Sequence, residues 1–106
     1  MIQSFLLLKI LPDNKNKAVE IINFLQERIR VESGCVSCDF YQDLANKGTV
    51  LLLEEWESRA DLECHIHSEE YRHLLALIEL SSEPPIIKFN TVTRAEGIEA
   101  IESVRK

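Results

Sequence analysis

CVSCDFYQDLANKGTVLLLEEWE, residues 35–57, decides how this chain folds. Its first segment, Cys35–Asp43, has the β-branched and aromatic content of a strand. LANKG supplies a turn, and TVLLLEEWE (Thr49–Glu57) returns as the second arm of a hairpin. A helical pattern stands on each side. Upstream, Pro12-Asp13-Asn14 opens a helix to about Glu32, with Ala18, Ile21, Ile22, Leu25 and Ile29 at helical spacing, and Gly34 closes the connection. Downstream, Ser58 followed by Asp61 resembles a capping box with Asp in place of Glu. Ser68 is a second cap, before EEYRHLLALIEL, so this region reads as two helical pieces with a break near His67–Ser68. Outermost, SFLLLKIL (Ser4–Leu11) is an apolar run ended by Pro12, and IIKFNTVT (Ile86–Thr93) follows SSEPP as a fourth strand. The order β-α-β-β-α-β predicts an α+β, ferredoxin-like domain over residues 1–94: one four-stranded antiparallel sheet with its helices on one face. Residues 95–106 follow as a short amphipathic tail.

Alternate residues of a strand face opposite sides of the sheet. A sheet with helices on one face and water on the other should alternate apolar and polar residues. Phe5-Leu6-Leu7-Leu8 and Val50-Leu51-Leu52-Leu53 do not alternate; they are apolar on both faces. A chain of this size has no spare layer to cover the second face. A second copy packing sheet against sheet is the simplest cover, so a homodimer is expected, with a cavity between sheet and helices or between subunits.

Composition narrows the function classes. At 106 residues the chain is one domain, 45% hydrophobic and 28% charged, ordinary for a globular protein. A net charge of −6 and the lack of a basic stripe argue against a nucleic acid partner. No apolar run approaches the roughly 18–20 residues of a membrane span. MIQSFLLLKIL has no positive n-region and is broken by Lys9, which makes a poor signal peptide. Three cysteines fit a reducing interior better than a disulfide framework, so a cytoplasmic location is expected.

LECHIHSEEYRH (Leu62–His73) holds all three histidines and one cysteine. At 100° per residue, Leu62, His65 and Ile66 share the inward face of the first helical piece, while Cys64 and His67 lie on the other side. In the second piece Tyr71, Leu74, Leu75 and Ile78 make the inward stripe and leave His73 off it. The histidines do not converge, and a metal site is not expected. Cys35 and Cys38 form a CxxC by count, but in a strand they stand about 10 Å apart on opposite faces, outside disulfide reach; they read as structural filler. His65 remains as one imidazole on an apolar face near Trp56. It is either a satisfied core histidine or an acid/base group with a pKa suited to the task. Trp56 is either core or the flat wall of an aromatic-binding cavity. Tyr41, Ser68 and Tyr71 are second-rank candidates, and Glu54, Glu55 and Glu57 read as a solvated strand end. No phosphate loop, GxSxG, HExxH or dinucleotide fingerprint occurs, so no cofactor is expected.

GCVSCDFYQD, LLLEEWESRADLECHIHSEEYRHLLALI and IIKFNTVT together resemble the antibiotic biosynthesis monooxygenase family. The shared pattern is a Gly-Cys-started strand, a hairpin, a strand ending in an aromatic before Glu-Ser, and a histidine nine residues after that aromatic. A Ser and an aromatic follow three and six residues beyond the histidine. Trp56, Glu57, Ser58, His65, Ser68 and Tyr71 stand at those positions. The resemblance implies the same fold, paired through its sheets into a dimeric α/β barrel. It also implies cofactor-independent oxidation of a quinol- or anthrone-like aromatic by O₂, with His65 assisting proton transfer, Trp56 lining the pocket and Tyr71 beside it. Haem-degrading members use an Asn on the first strand and a haem-ligating His on the second helix. Here the first strand has no Asn and Leu74 stands at the ligand position, which disfavours haem degradation. The alternatives are a non-catalytic small-molecule-binding or stress-response protein on the same barrel, and a protein-interaction role for the tail.

Overall fold

The computed structural model describes all residues 1–106. β1 (Ile2–Lys9) leads through a 3-10 turn at Pro12–Asn14 into α1 (Lys15–Arg30). The hairpin of β2 (Cys35–Gln42) and β3 (Thr49–Trp56) comes next, then α2 (Arg59–Ile66) and α3 (Glu69–Glu79). β4 (Ile86–Thr91) and α4 (Ile98–Arg105) complete the chain. The strands form one antiparallel sheet in the order β2-β3-β1-β4, the α+β ferredoxin-like arrangement. No helix is long and apolar enough to cross a membrane.

Element ends differ from expectation by about two residues, for local reasons. β1 begins at Ile2 because it is paired from there with Trp56 on one side and Thr91 on the other. It ends at Lys9, with Ile10 in an isolated bridge to Ser81 and its amide donating to the Gly48 carbonyl at 2.7 Å. Pro12 fits the first turn of a helix, where its missing N–H costs nothing, and it opens the 3-10 turn instead of α1 itself. The break after α2 is where the sequence placed it, and Ser58 and Ser68 cap the helices that follow by accepting from the Asp61 and Tyr71 amides.

One face of the sheet carries the core. Ile2, Leu6 and Leu8 of β1 and Leu52 and Trp56 of β3 meet Ala18, Leu25 and Ile29 of α1, Leu62 of α2, and Leu74 and Leu77 of α3. The α3 stripe centres on Leu74, so Leu77 is buried and the expected Leu75 is exposed, about 100° away around the helix. On the other face, Phe5 and Leu7 of β1 stand beside Leu51 and Leu53 of β3, all half-buried by one another and covered by no helix of this chain.

Gly34 makes the turn from α1 into β2 with a φ of +80°, and its carbonyl accepts from the Glu57 amide at 2.9 Å. A Cβ there would collide with the Asp61 carboxyl group. Gly34→Ala therefore combines left-handed backbone strain with a steric clash. We expect it to lower stability by more than about 1 kcal/mol, read as a lower urea midpoint with an unchanged slope.

Candidate functional site

β3 delivers three side chains to the helix-facing side near its end: Leu52, Glu54 and Trp56. Two residues after Trp56 the chain turns into α2, where the Ser58 hydroxyl donates to Asp61 Oδ2 at 2.8 Å and accepts from the Asp61 amide. This cap fixes the start of α2, and the helical repeat then places His65 inward over Trp56. Behind it, the Ser68 hydroxyl donates to the His65 carbonyl at 2.6 Å and accepts from the Tyr71 amide, closing the α2–α3 joint. Ser68 thus holds the backbone of the site and does not point a hydroxyl into it.

The His65 imidazole is the centre of the cluster, with the residue only 1% exposed. It stacks on Trp56 at 4.5 Å between ring centroids, tilted by 27°, and meets the edge of Tyr71 at 5.1 Å. Both ring nitrogens face carboxylates. Nδ1 lies 3.1 Å from each oxygen of Glu32, and Nε2 lies 3.2 Å from Glu54 Oε2. The Glu54 contact is close enough for an ion pair but is not aligned as a hydrogen bond, and neither atom has another partner. Glu54 Oε1 accepts from the Trp56 indole N–H at 3.2 Å.

A neutral imidazole can donate from only one of its nitrogens, whereas the imidazolium donates from both. Two facing carboxylates therefore favour the charged ring. Burial opposes it and is the largest single influence, but the close contact with the Glu54 carboxylate and then the charge and hydrogen bond of Glu32 outweigh it, and the His65 pKa is raised above 6.5. Burial also raises the Glu32 carboxyl pKa, with His65 pulling it partly back. The Tyr71 phenol is pushed up by burial first and by the Glu54 charge second. The arrangement can hold a proton on a buried ring and pass it along Glu32–His65–Glu54. The outward member is Glu32, which is half-buried beside half-buried Tyr71.

Glu54 corrects the sequence reading. It is not part of a solvated strand end: only 1% of it is exposed, opposite Ser4 and Cys38 in the sheet. The signal was present, because Glu54 shares the strand parity of Leu52 and Trp56. Glu32 carried no such signal, since it lies beyond the end of α1 and reaches His65 only when the chain folds back. Tyr41 is 52% exposed on the uncovered sheet face, remote from Trp56, His65 and Tyr71.

The cysteines differ from expectation as well. A bulge between Cys35 and Ser37 inserts one residue, so Cys35 pairs with Trp56 and Cys38 with Glu54, and both face the helices. Both are free thiols. Burial and the nearby carboxylates push the Cys35 pKa up to about 11 and Cys38 higher still, so neither is a ready thiolate. The other histidines stand apart: His67 is exposed, and His73 packs against Phe24 with centroids 4.5 Å apart. No group of three or more His, Cys, Asp or Glu side chains is arranged so that it could hold a metal ion. The larger of two surface cavities, about 480 Å³, lies at the opposite end of the sheet, between Lys9, Ile22, Lys47 and Val50. The other touches Leu7, Tyr41 and Leu51 on the uncovered face.

A folded-state histidine pKa above its unfolded value adds stability below about pH 6.5, and that contribution fades as the pH rises through the folded pKa. The raised Glu32 pKa acts in the same direction at lower pH. Urea unfolding should therefore show the protein less stable at about pH 9 than at about pH 6. By NMR the His65 ring should titrate above 6.5. Glu54→Gln should shift that titration downward, because it removes the charge that does most to raise the pKa.

Comparison with known proteins agrees with the fold. The family model for antibiotic biosynthesis monooxygenase matches residues 1–77. A crystal structure of an antibiotic biosynthesis monooxygenase superposes with a TM-score of 0.80 at 21% identity, over 89% of this chain and all of that one. Rv0793 from Mycobacterium tuberculosis superposes with a TM-score of 0.81 at 22% identity, over 91% of this chain and 98% of that one. These two likenesses establish the fold. In sequence, the uncharacterized protein sll1783 from Synechocystis is 27% identical over 92 residues; the match covers 86% of this chain and 63% of that protein's length. With most of the chain matched by the family model, this protein belongs to the antibiotic biosynthesis monooxygenase family.

Proposed function

We propose that this chain is a cofactor-independent monooxygenase acting on a quinol- or anthrone-like aromatic, working as a homodimer. One observation carries the reading: a fully buried imidazole with a carboxylate at each nitrogen, stacked on Trp56 and edged by Tyr71. Such a cluster accepts a proton from a weakly acidic C–H or O–H and keeps it away from water. For an anthrone the overall change is CH₂ + O₂ → C=O + H₂O. Glu32, the outward member, takes the proton from the substrate, and His65 shares it with Glu54. The carbanion gives one electron to O₂, the two radicals combine to a peroxide anion, the cluster returns its proton to give the hydroperoxide, and this loses water to leave the ketone. Trp56 is fully buried against His65, so half-buried Tyr71 is the aromatic of the cluster that would meet a flat substrate.

The uncovered sheet face supports the homodimer. Phe5, Leu7, Leu51 and Leu53 form a contiguous apolar patch on a chain otherwise rich in charge. Two copies pairing face to face would bury both patches and close the dimeric α/β barrel. Light scattering at micromolar concentration should report twice the 12.2 kDa chain mass. A stable monomer would remove this part of the proposal.

The non-catalytic alternative also has an observation in its favour: His65 is closed off, and the roomiest cavity lies at the far end of the sheet, beside Lys9 and Lys47. The two readings separate in an oxygen electrode. A monomeric anthrone or reduced naphthoquinone should drive O₂ uptake by the wild-type protein. His65→Ala should slow it by about 10²–10⁴-fold, and Glu32→Gln should slow it as well. Absence of uptake with every quinol tried, together with saturable binding of an apolar ligand that Val50→Trp abolishes, would favour the binding protein.

A further inference from the structure

Two apolar surfaces remain uncovered after the core and the open sheet face are accounted for. The first is the helix-facing side of β4. Register puts Ile87 beside Leu6 and Phe89 beside Ser4, so both point toward the helical layer, yet they are 44% and 40% exposed. The helices lie over the other three strands and stop short of this edge. The second is α4, which has no buried residue and presents Ile98, Ile101 and Val104 at i, i+3 and i+6, with Ile98 71% and Val104 85% exposed. Glu99 and Ser103 occupy the opposite side and Glu102 borders Ile98, so the helix is amphipathic with nothing under its apolar side.

The two surfaces match in size. Ile98 to Val104 spans about 9 Å along a helix, and Ile87 to Phe89 about 7 Å along a strand. Within one chain they do not meet. The radius of gyration is 15.4 Å and the longest dimension 49 Å, against about 13 Å expected for the radius of a compact chain of this length. The chain therefore carries an arm that projects away from its own body.

We propose that α4 of each copy docks on Ile87 and Phe89 of a second copy, so that the dimer is locked by exchanged C-terminal helices. The proposal rests on the homodimer described above and adds an interface to it. Interface size supports a second copy as the occupant. The sheet footprint, four strands wide and eight residues long, is about 19 by 27 Å, roughly 500 Å². A stable complex commonly buries about 800 Å² per partner, so sheet pairing alone falls short and the reciprocal helices supply the difference. Ile86, 46% exposed beside Leu7, carries the open sheet face out to β4, whose other side bears Ile87 and Phe89, so the two apolar surfaces share one strand edge. Each copy offers both the helix and its receptor, so a twofold axis satisfies all four surfaces at once.

Cysteine pairing tests the exchange. Phe89→Cys and Ile101→Cys are made as separate proteins, each also carrying Cys64→Ser to remove the exposed native thiol. Each is expected to give no covalent dimer alone, and their co-refolded mixture should give a disulfide-linked dimer on oxidation. In parallel, the double variant Ile98→Ser and Ile101→Ser should weaken the dimer at least about tenfold and speed amide exchange across residues 86–91. A mixture that forms no covalent dimer while light scattering still reports a dimer would overturn the exchange and leave the sheet-face dimer standing. A wild-type monomer would overturn both. A disulfide within one chain in a Phe89→Cys and Ile101→Cys protein would show that α4 closes on its own strand, which also overturns the exchange.

Discussion

The imidazole of His65 can be buried only because three separated segments converge on it. Glu32 arrives from beyond α1, Glu54 from the middle of β3, and His65 from the last turn of α2. An ionised pair taken out of water costs several kcal/mol per ion, and removing one partner leaves the other charge stranded. The cluster therefore ties together the α1–β2 turn, the hairpin and the helical layer. Gly34 serves the same convergence, since its left-handed backbone brings the chain from Glu32 back into β2 with Asp61 packed against it.

Around this centre the packing is asymmetric. The helix-facing side of β1 and β3 is sealed by α1, α2 and α3, while the opposite side keeps Phe5, Leu7, Leu51 and Leu53 half-exposed. At the β4 edge the helical layer runs out and leaves Ile87 and Phe89 bare. A small α+β domain has too little chain to cover two sheet faces and an edge, so apolar surface remains on both. The helix-facing parity of β3 carries Leu52, Glu54 and Trp56 into the cluster, and the other parity leaves Leu51 and Leu53 on the uncovered face.

Much of this was legible beforehand. Strand and helix order followed from turn residues and periodicity, and the Ser58 and Ser68 caps marked where α2 and α3 start. The same angular reading put His65 inward with Leu62 and set His67 and His73 aside. The errors have equally definite causes. Glu54 was grouped with Glu55 and Glu57 by charge, although strand parity separates it from both. Cys35 and Cys38 were placed on opposite faces because a bulge, invisible in a list of residue types, changes parity by one. The stripe read from Tyr71 includes Leu75, whereas the structure centres it on Leu74 and buries Leu77.

The sequence by itself determined the elements, their order and which side of each faces in, because these depend on periodicity, caps and turns within a few residues. Only the tertiary structure decided what surrounds His65. The two carboxylates lie 33 and 11 positions from it, on elements brought together by sheet pairing and by the turn at Gly34. Contacts between distant segments leave no local pattern, and the charge state of a buried ring depends on those contacts alone.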